Sequence, residues 1–233
     1  MKRIVSIALI LLVGAAFLVT AQDSRSGDET TVEELYLRNM ELRIIREQAV
    51  TLDRDMKLLA LKNIEEMLDE GRVSAGDPET HYVLDYLANE GIGRMVRENN
   101  RLVNNYPVVR KEACMLLGEL GGENAVNTLM LIMNNDDEPM VLSEAAYALG
   151  VIGENADNMV STAIADAVLR QDTLNPSDNF AYAALLAFQK LADKGDGLQD
   201  PEAVRAIIAI AQGNYIREVK TKANDVLNEL RKY

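Results

Sequence analysis

Apolar residues recur at helical spacing along most of this chain, and one such pattern is written twice. Val109, Ala113, Leu116, Leu117, Leu120 and Gly121 match Val141, Ala145, Ala148, Leu149, Ile152 and Gly153, thirty-two residues later. The apolar members fall at i, i+4, i+7, i+8 and i+11, one face of a helix with 3.6 residues per turn. Gly121 and Gly153 close the two copies, where a helix needs a left-handed C′ residue. Weaker copies run through Met56, Ala60, Ile64 and Met67, with Asn63 as a polar departure, and through Phe180, Ala184, Ala187, Phe188 and Leu191. A last copy holds Val219, Ala223, Val226, Leu227 and Leu230. The anchoring alanines are Ala60, Ala113, Ala145, Ala184 and Ala223, spaced by 53, 32, 39 and 39 residues.

Second helices are predicted between these copies, over Glu79–Glu90, Glu123–Asn134, Ala156–Arg170 and Pro201–Gln212. Asp77-Pro78 and Asp200-Pro201 supply an N-cap followed by proline at the first helical position, and Pro107 and Pro139 open two of the first-type helices. Gln171–Asp178 and Lys194–Asp200 read as loops. The long gap between Ala60 and Ala113 is expected to hold an extra amphipathic helix at about Gly93–Asn104. Gly118 and Gly150, one turn before the helix ends, are expected to make room for the following helix to turn back. A single helix pair cannot bury both of its stripes, so the units must stack side by side. The expected fold is all-α, with stacked antiparallel helix pairs over 30–233. Thr30-Thr31-Val32-Glu33 has capping-box spacing and marks the first ordered helix, to about Ala49.

The N-terminus follows a different pattern. Lys2 and Arg3 precede a nearly unbroken apolar run from Ile4 to Val19, and Val19-Thr20-Ala21 offers small residues before Gln22. Residues 1–21 therefore read as a secretory signal peptide, and 22–29 as a flexible polar leader. The run is shorter than the roughly 20 residues a membrane-crossing helix needs, which favours cleavage over a retained anchor. The expectation is an exported protein of the periplasm or cell envelope, without stable membrane insertion after cleavage.

Composition adds limits. Hydrophobic residues make up 48% and charged residues 26% of the 233, aromatics only 5%, and tryptophan is absent. An aliphatic, alanine-rich core suits closely packed helices. The net charge is −13, and removal of Lys2 and Arg3 takes it to −15. A field of that sign opposes phosphate backbones, so nucleic acid is not an expected partner. Cys114 is the single cysteine and reads as a small buried hydrophobe; without a second thiol, no internal disulfide can form.

Val109-Arg110, Glu112-Ala113, Leu117-Gly118 and Leu120-Gly121, followed by Glu123-Asn124-Ala125-Val126, resemble a HEAT repeat of the kind found in bilin lyases. Asp200-Pro201-Glu202-Ala203-Val204 is similar to that family's second-helix opening. The resemblance implies a HEAT/armadillo-like α-solenoid, a superhelix of helix pairs whose second helices line a concave face where partners bind. On that basis Asn127, Thr128, Thr162, Asp166 and Arg205 are candidate partner-binding residues.

The clearest local anomaly is basic. Arg94, Arg97 and Arg101 follow i, i+3, i+7 spacing, so on the expected extra helix they form one stripe, with Arg110 and Lys111 close behind. Such a stripe suits a carboxylate-bearing partner. Pairing with this chain's own surplus acids is the competing and favoured reading. Asn134–Glu138 is acidic but lacks the ligand pattern of an EF-hand, and helix capping before Pro139 accounts for it. His81, the single histidine, has no partner at metal-ligand spacing, and neither a nucleophile elbow nor a phosphate loop is present. No metal, cofactor or catalytic constellation is expected. The function expected is a non-enzymatic scaffold binding a protein or peptide partner. A bilin-lyase-like enzyme or a chaperone holding a small ligand is the alternative, and the charge alone would also admit a binder of basic peptides.

Overall fold

Helices dominate the computed structural model, which describes residues 31–174, 176–195 and 197–232. The signal-peptide and leader assignments, 1–21 and 22–29, lie outside the described residues. The chain divides into two compact units, 1–39 and 40–233. In the first, the described part is the start of α1 (Val32–Val50). Among the described residues its capping box is formed by Thr31 and Glu34: Glu34 N donates to Thr31 Oγ1 at 3.2 Å, and Thr31 N to Glu34 Oε2 at 2.8 Å.

The second unit continues α1 and then builds two layers. α2 (Arg54–Asp69), α4 (Pro107–Leu120), α6 (Pro139–Ile152), α8 (Asp178–Lys194) and α10 (Arg217–Leu230) are the first helices. α3 (Pro78–Ala88), α5 (Gly122–Asn135), α7 (Met159–Leu174) and α9 (Pro201–Gln212) are the second. Within the first layer α2 packs on α4, α4 on α6, α6 on α8 and α8 on α10; within the second, α3 meets α5, α5 meets α7 and α7 meets α9. This nearest-neighbour stacking is the α-solenoid pattern. Ala60, Ala113, Ala145, Ala184 and Ala223 all lie at the buried seam with no exposed surface. A methyl group at each anchor lets adjacent backbones come close while still excluding water.

Capping chemistry sets the boundaries. Asp53, Asp77, Ser177 and Asp200 accept N-terminal amides of α2, α3, α8 and α9. Gly153 is left-handed at φ 77°, whereas Gly121 combines φ 71° with an extended ψ and leads straight into α5. Lys194 donates to the carbonyls of Val151 and Ile152, covering the C-terminus of α6.

Several expectations need correction. The loop expected over 171–178 is largely helix, because α7 runs on to Leu174 after a short 3-10 turn at Ala156–Asn158. Gly118 and Gly150 do not make room for the following helix. They admit the first helix of the next repeat: a Cβ on Gly118 would lie 2.7 Å from Ala148 Cβ, and one on Gly150 would lie 2.7 Å from Ala187 Cα. Asn63 is half-buried and donates to Gln48 at 3.1 Å, while the fully buried polar residue of α2 is Lys57.

The extra helix at 93–104 does not form. That segment is a β-hairpin, β1 (Arg97–Glu98) antiparallel to β2 (Arg101–Leu102), with Arg97 opposite Leu102 and Glu98 opposite Arg101. Asn99 and Asn100 turn it at φ 48° and 67°. Two consecutive positive-φ residues match the right-handed twist of a tight hairpin, and asparagine tolerates that region better than most side chains.

Candidate interaction site

The hairpin is held at its base by a buried polar network that spans two repeats. Lys57 Nζ on α2 reaches Glu90 Oε2 at 2.9 Å and the Ala49 carbonyl at 2.8 Å. Glu90 Oε1 accepts from Asn104 Nδ2 at 2.7 Å, and Asn104 in turn donates to the Arg94 carbonyl at 2.6 Å and accepts from Val96 N at 2.8 Å. Arg110 on α4 donates to the Glu90 carbonyl at 3.1 Å and to Asn105 Oδ1 at 2.8 Å. Its remaining donors clamp Asp136 in bidentate fashion at 2.7 and 3.2 Å. These buried charges thus have both an opposite charge and further hydrogen bonds, the condition under which burial is tolerated. Gly91, at φ 80°, sits where the two ends of the segment meet, since a Cβ there would lie 2.6 Å from the Asn104 carbonyl oxygen.

This geometry revises the arginine stripe. Arg110 is internal, and Lys111 pairs with Glu112 at 3.0 Å, so neither belongs to a surface patch. Arg94, Arg97 and Arg101 are exposed but do not share a face. Side chains alternate along a strand, so Arg97 lies with Leu102 and Arg101 with Glu98 on the opposite face of the ribbon. The Arg94 guanidinium packs over the Tyr86 ring, 4.5 Å from its centroid. Among the described residues, none of the three forms an ion pair with an acid, so pairing with the chain's own carboxylates does not account for them.

Beside the hairpin is a cleft of about 500 Å³ between the C-terminal ends of α3 and α5. Asn89, Ile92, Met95, Leu131 and Asn135 line it. Asn127 stands one turn before Leu131 on the same exposed stripe of α5. The other second-helix candidates lie apart from it. Asp166 is exposed on α7, and Arg205, on α9, pairs with Glu202 at 3.4 Å. Thr162 spends its hydroxyl on Asp200 at 3.1 Å, and Thr128 donates to Asp85 at 2.9 Å, so these two tie neighbouring elements together.

Burial drives the Cys114 thiol far above its usual range, which keeps it protonated. His81 is half-buried, and desolvation lowers its pKa against the pull of Asp85. Asp136, in the acidic turn, is committed to Arg110 and to the backbone N–H of Glu138 at 3.0 Å. Among the described residues no group of histidine, cysteine or carboxylate side chains could hold a metal ion, and no helix is long and apolar enough to cross a membrane.

The buried members of this site carried only a weak signal in the sequence. Lys57 falls three residues before Ala60, on the apolar stripe, and Arg110 occupies the register position of Leu142. A charge in an apolar register is the one hint of a buried pair.

Comparison with known families places HEAT repeats at residues 100–174. None of the curated proteins compared matches the chain. HEAT repeats are in general non-catalytic and commonly mediate protein interactions.

Proposed function

This chain is a HEAT-repeat protein, and on that premise we propose that it is a non-enzymatic scaffold which holds a protein or peptide partner on its second-helix side. The observation that carries this reading is the hairpin with its adjoining cleft: exposed arginines that form no ion pair among the described residues, and exposed apolar side chains, on a segment that interrupts the repeat. An insertion fastened by so many buried hydrogen bonds is built to present its tip in a fixed place.

We further propose export to the periplasm or cell envelope, on the Lys2-Arg3, Ile4–Val19 and Val19-Thr20-Ala21 pattern, with no nucleic-acid partner, on the −13 charge. Crosslinking in the native cell, followed by identification of what is joined to the protein, tests the scaffold. One reproducible protein partner in the envelope fraction is expected. Absence of any crosslinked protein across short and long crosslinkers would remove the reading, and recovery only from the cytoplasm would remove export.

A further inference from the structure

Resting on the scaffold reading, we infer that the cleft beside the hairpin docks an acidic protein segment that carries one large apolar side chain. That side chain seats between Met95 and Leu131, and a neighbouring carboxylate pairs with Arg97.

The apolar half of this recognition is exposed now. Met95 and Leu131 line the same cleft yet are 59% and 51% exposed, while Ile92 behind them is half-buried. Met is a side chain that adapts its shape to what it meets. The charged half adjoins it. Arg97 Nη2 lies 3.9 Å from Met95 Sδ, and its other contact is a long one, 3.4 Å from Nη1 to the Asn100 carbonyl. In a chain with 37 acids and 24 basic residues, an exposed arginine that pairs with no carboxylate among the described residues is available to one from outside. Glu98 does not compete, because strand alternation sends it to the other face with Arg101. Complementarity at this one guanidinium, rather than the chain's net negative charge, therefore selects a carboxylate beside the apolar side chain.

The cleft also fixes which part of the segment goes where. α3 and α5 both end there, and the negative end of a helix dipole disfavours a carboxylate. An apolar side chain enters, and the acid stays outside with the guanidinium. Asn89 and Asn135 already give their side-chain N–H groups to Asp85 and Leu131, which leaves their amide oxygens to accept from the main chain of an extended segment.

The test uses the full chain and a fluorescein-labelled heptapeptide with three acidic residues on each side of a central leucine. Fluorescence anisotropy at moderate salt is expected to show binding. Arg97→Gln and Leu131→Ser, both surface changes, should each weaken it by about fivefold or more. Arg101→Gln should leave it unchanged, and peptides with serine for leucine or lysines for the acids should bind poorly. No binding of the acidic leucine peptide, equal binding of the lysine peptide, or an equal loss from Arg101→Gln would overturn the inference. Melting curves of each variant exclude loss of fold. Crosslinking in the cell separates the two levels. A partner still captured by the Arg97→Gln/Leu131→Ser double variant removes this site and leaves the scaffold. Absence of any partner for the unaltered chain removes both.

Discussion

Gly118 on α4 lies so close to Ala148 on α6 that a Cβ added to the glycine would come within 2.7 Å of the alanine Cβ and 3.0 Å of its Cα. Glycine in a helix costs roughly 0.5–1 kcal/mol relative to alanine, so Gly118→Ala should stabilise an isolated helix. In the stack it should instead destabilise by about 1–3 kcal/mol, because the added methyl meets the Cβ and Cα of Ala148 on a tightly packed neighbouring helix. Ala148→Gly should restore part of that loss. At Gly150 the atom in the way is Ala187 Cα, so Gly150→Ala should not be rescued by Ala187→Gly. Urea denaturation of the two double-mutant cycles checks both outcomes.

Lys57 and Glu90 form a buried pair whose members depend on each other. Lys57→Met leaves a desolvated carboxylate and should cost about 3–5 kcal/mol. Replacing both, as Lys57→Met with Glu90→Gln, should recover a substantial part, since the neutral amide no longer needs a cation. Additive losses in equilibrium unfolding would show that the two are not coupled.

The turn makes a backbone prediction. Asn100 has φ 67°, a region costly for β-branched residues and free for glycine. Asn100→Gly should keep the hairpin, while Asn100→Val should loosen it by about 1–2 kcal/mol. The Val103 amide, which donates to the Val96 carbonyl at 3.0 Å, reports the difference through its hydrogen-exchange rate.

Stability should also depend on two acids of the first-helix surface. Burial raises the Glu119 carboxyl above its usual pKa, and the facing charges of Glu65, Asp69 and Glu144 push the same way. Burial raises Glu144 as well, with Lys111 opposing and Glu112 adding. A carboxyl with a higher pKa folded than unfolded binds its proton more tightly in the fold. Stability from it is therefore greatest below about pH 4.5 and falls as the pH rises through the folded value. Glu119→Gln should raise stability at pH 7 by about 0.5 kcal/mol or less, since solvent screens the site, and the gain should vanish near pH 4. Thermal melts of variant and parent at both pH values provide the check.

The helical seam was legible in the sequence because each contribution to it is local and repeated: alanine at the anchor, apolar residues a turn away, glycine or proline at the ends. The hairpin was not, because arginines at i, i+3, i+7 mimic a helical stripe whatever the backbone does. Asn99-Asn100 was the available signal, a turn pair set between Val96 and Leu102-Val103. Lys57, Glu90 and Arg110 defeated the reading for another reason. Burial of a charge is decided by partners 20 to 33 residues away, which no local pattern records. Gly118 and Gly150 are legible as close approaches, but the choice of neighbour depends on the stacking order of whole repeats.

The cleft takes its walls from α3, from the hairpin and from α5, elements that belong to successive units of the array. In a solenoid the rotation from one unit to the next sets the curvature. Bending or straightening at this joint changes the separation of Met95 and Leu131, so the aperture gauges the local pitch of the superhelix.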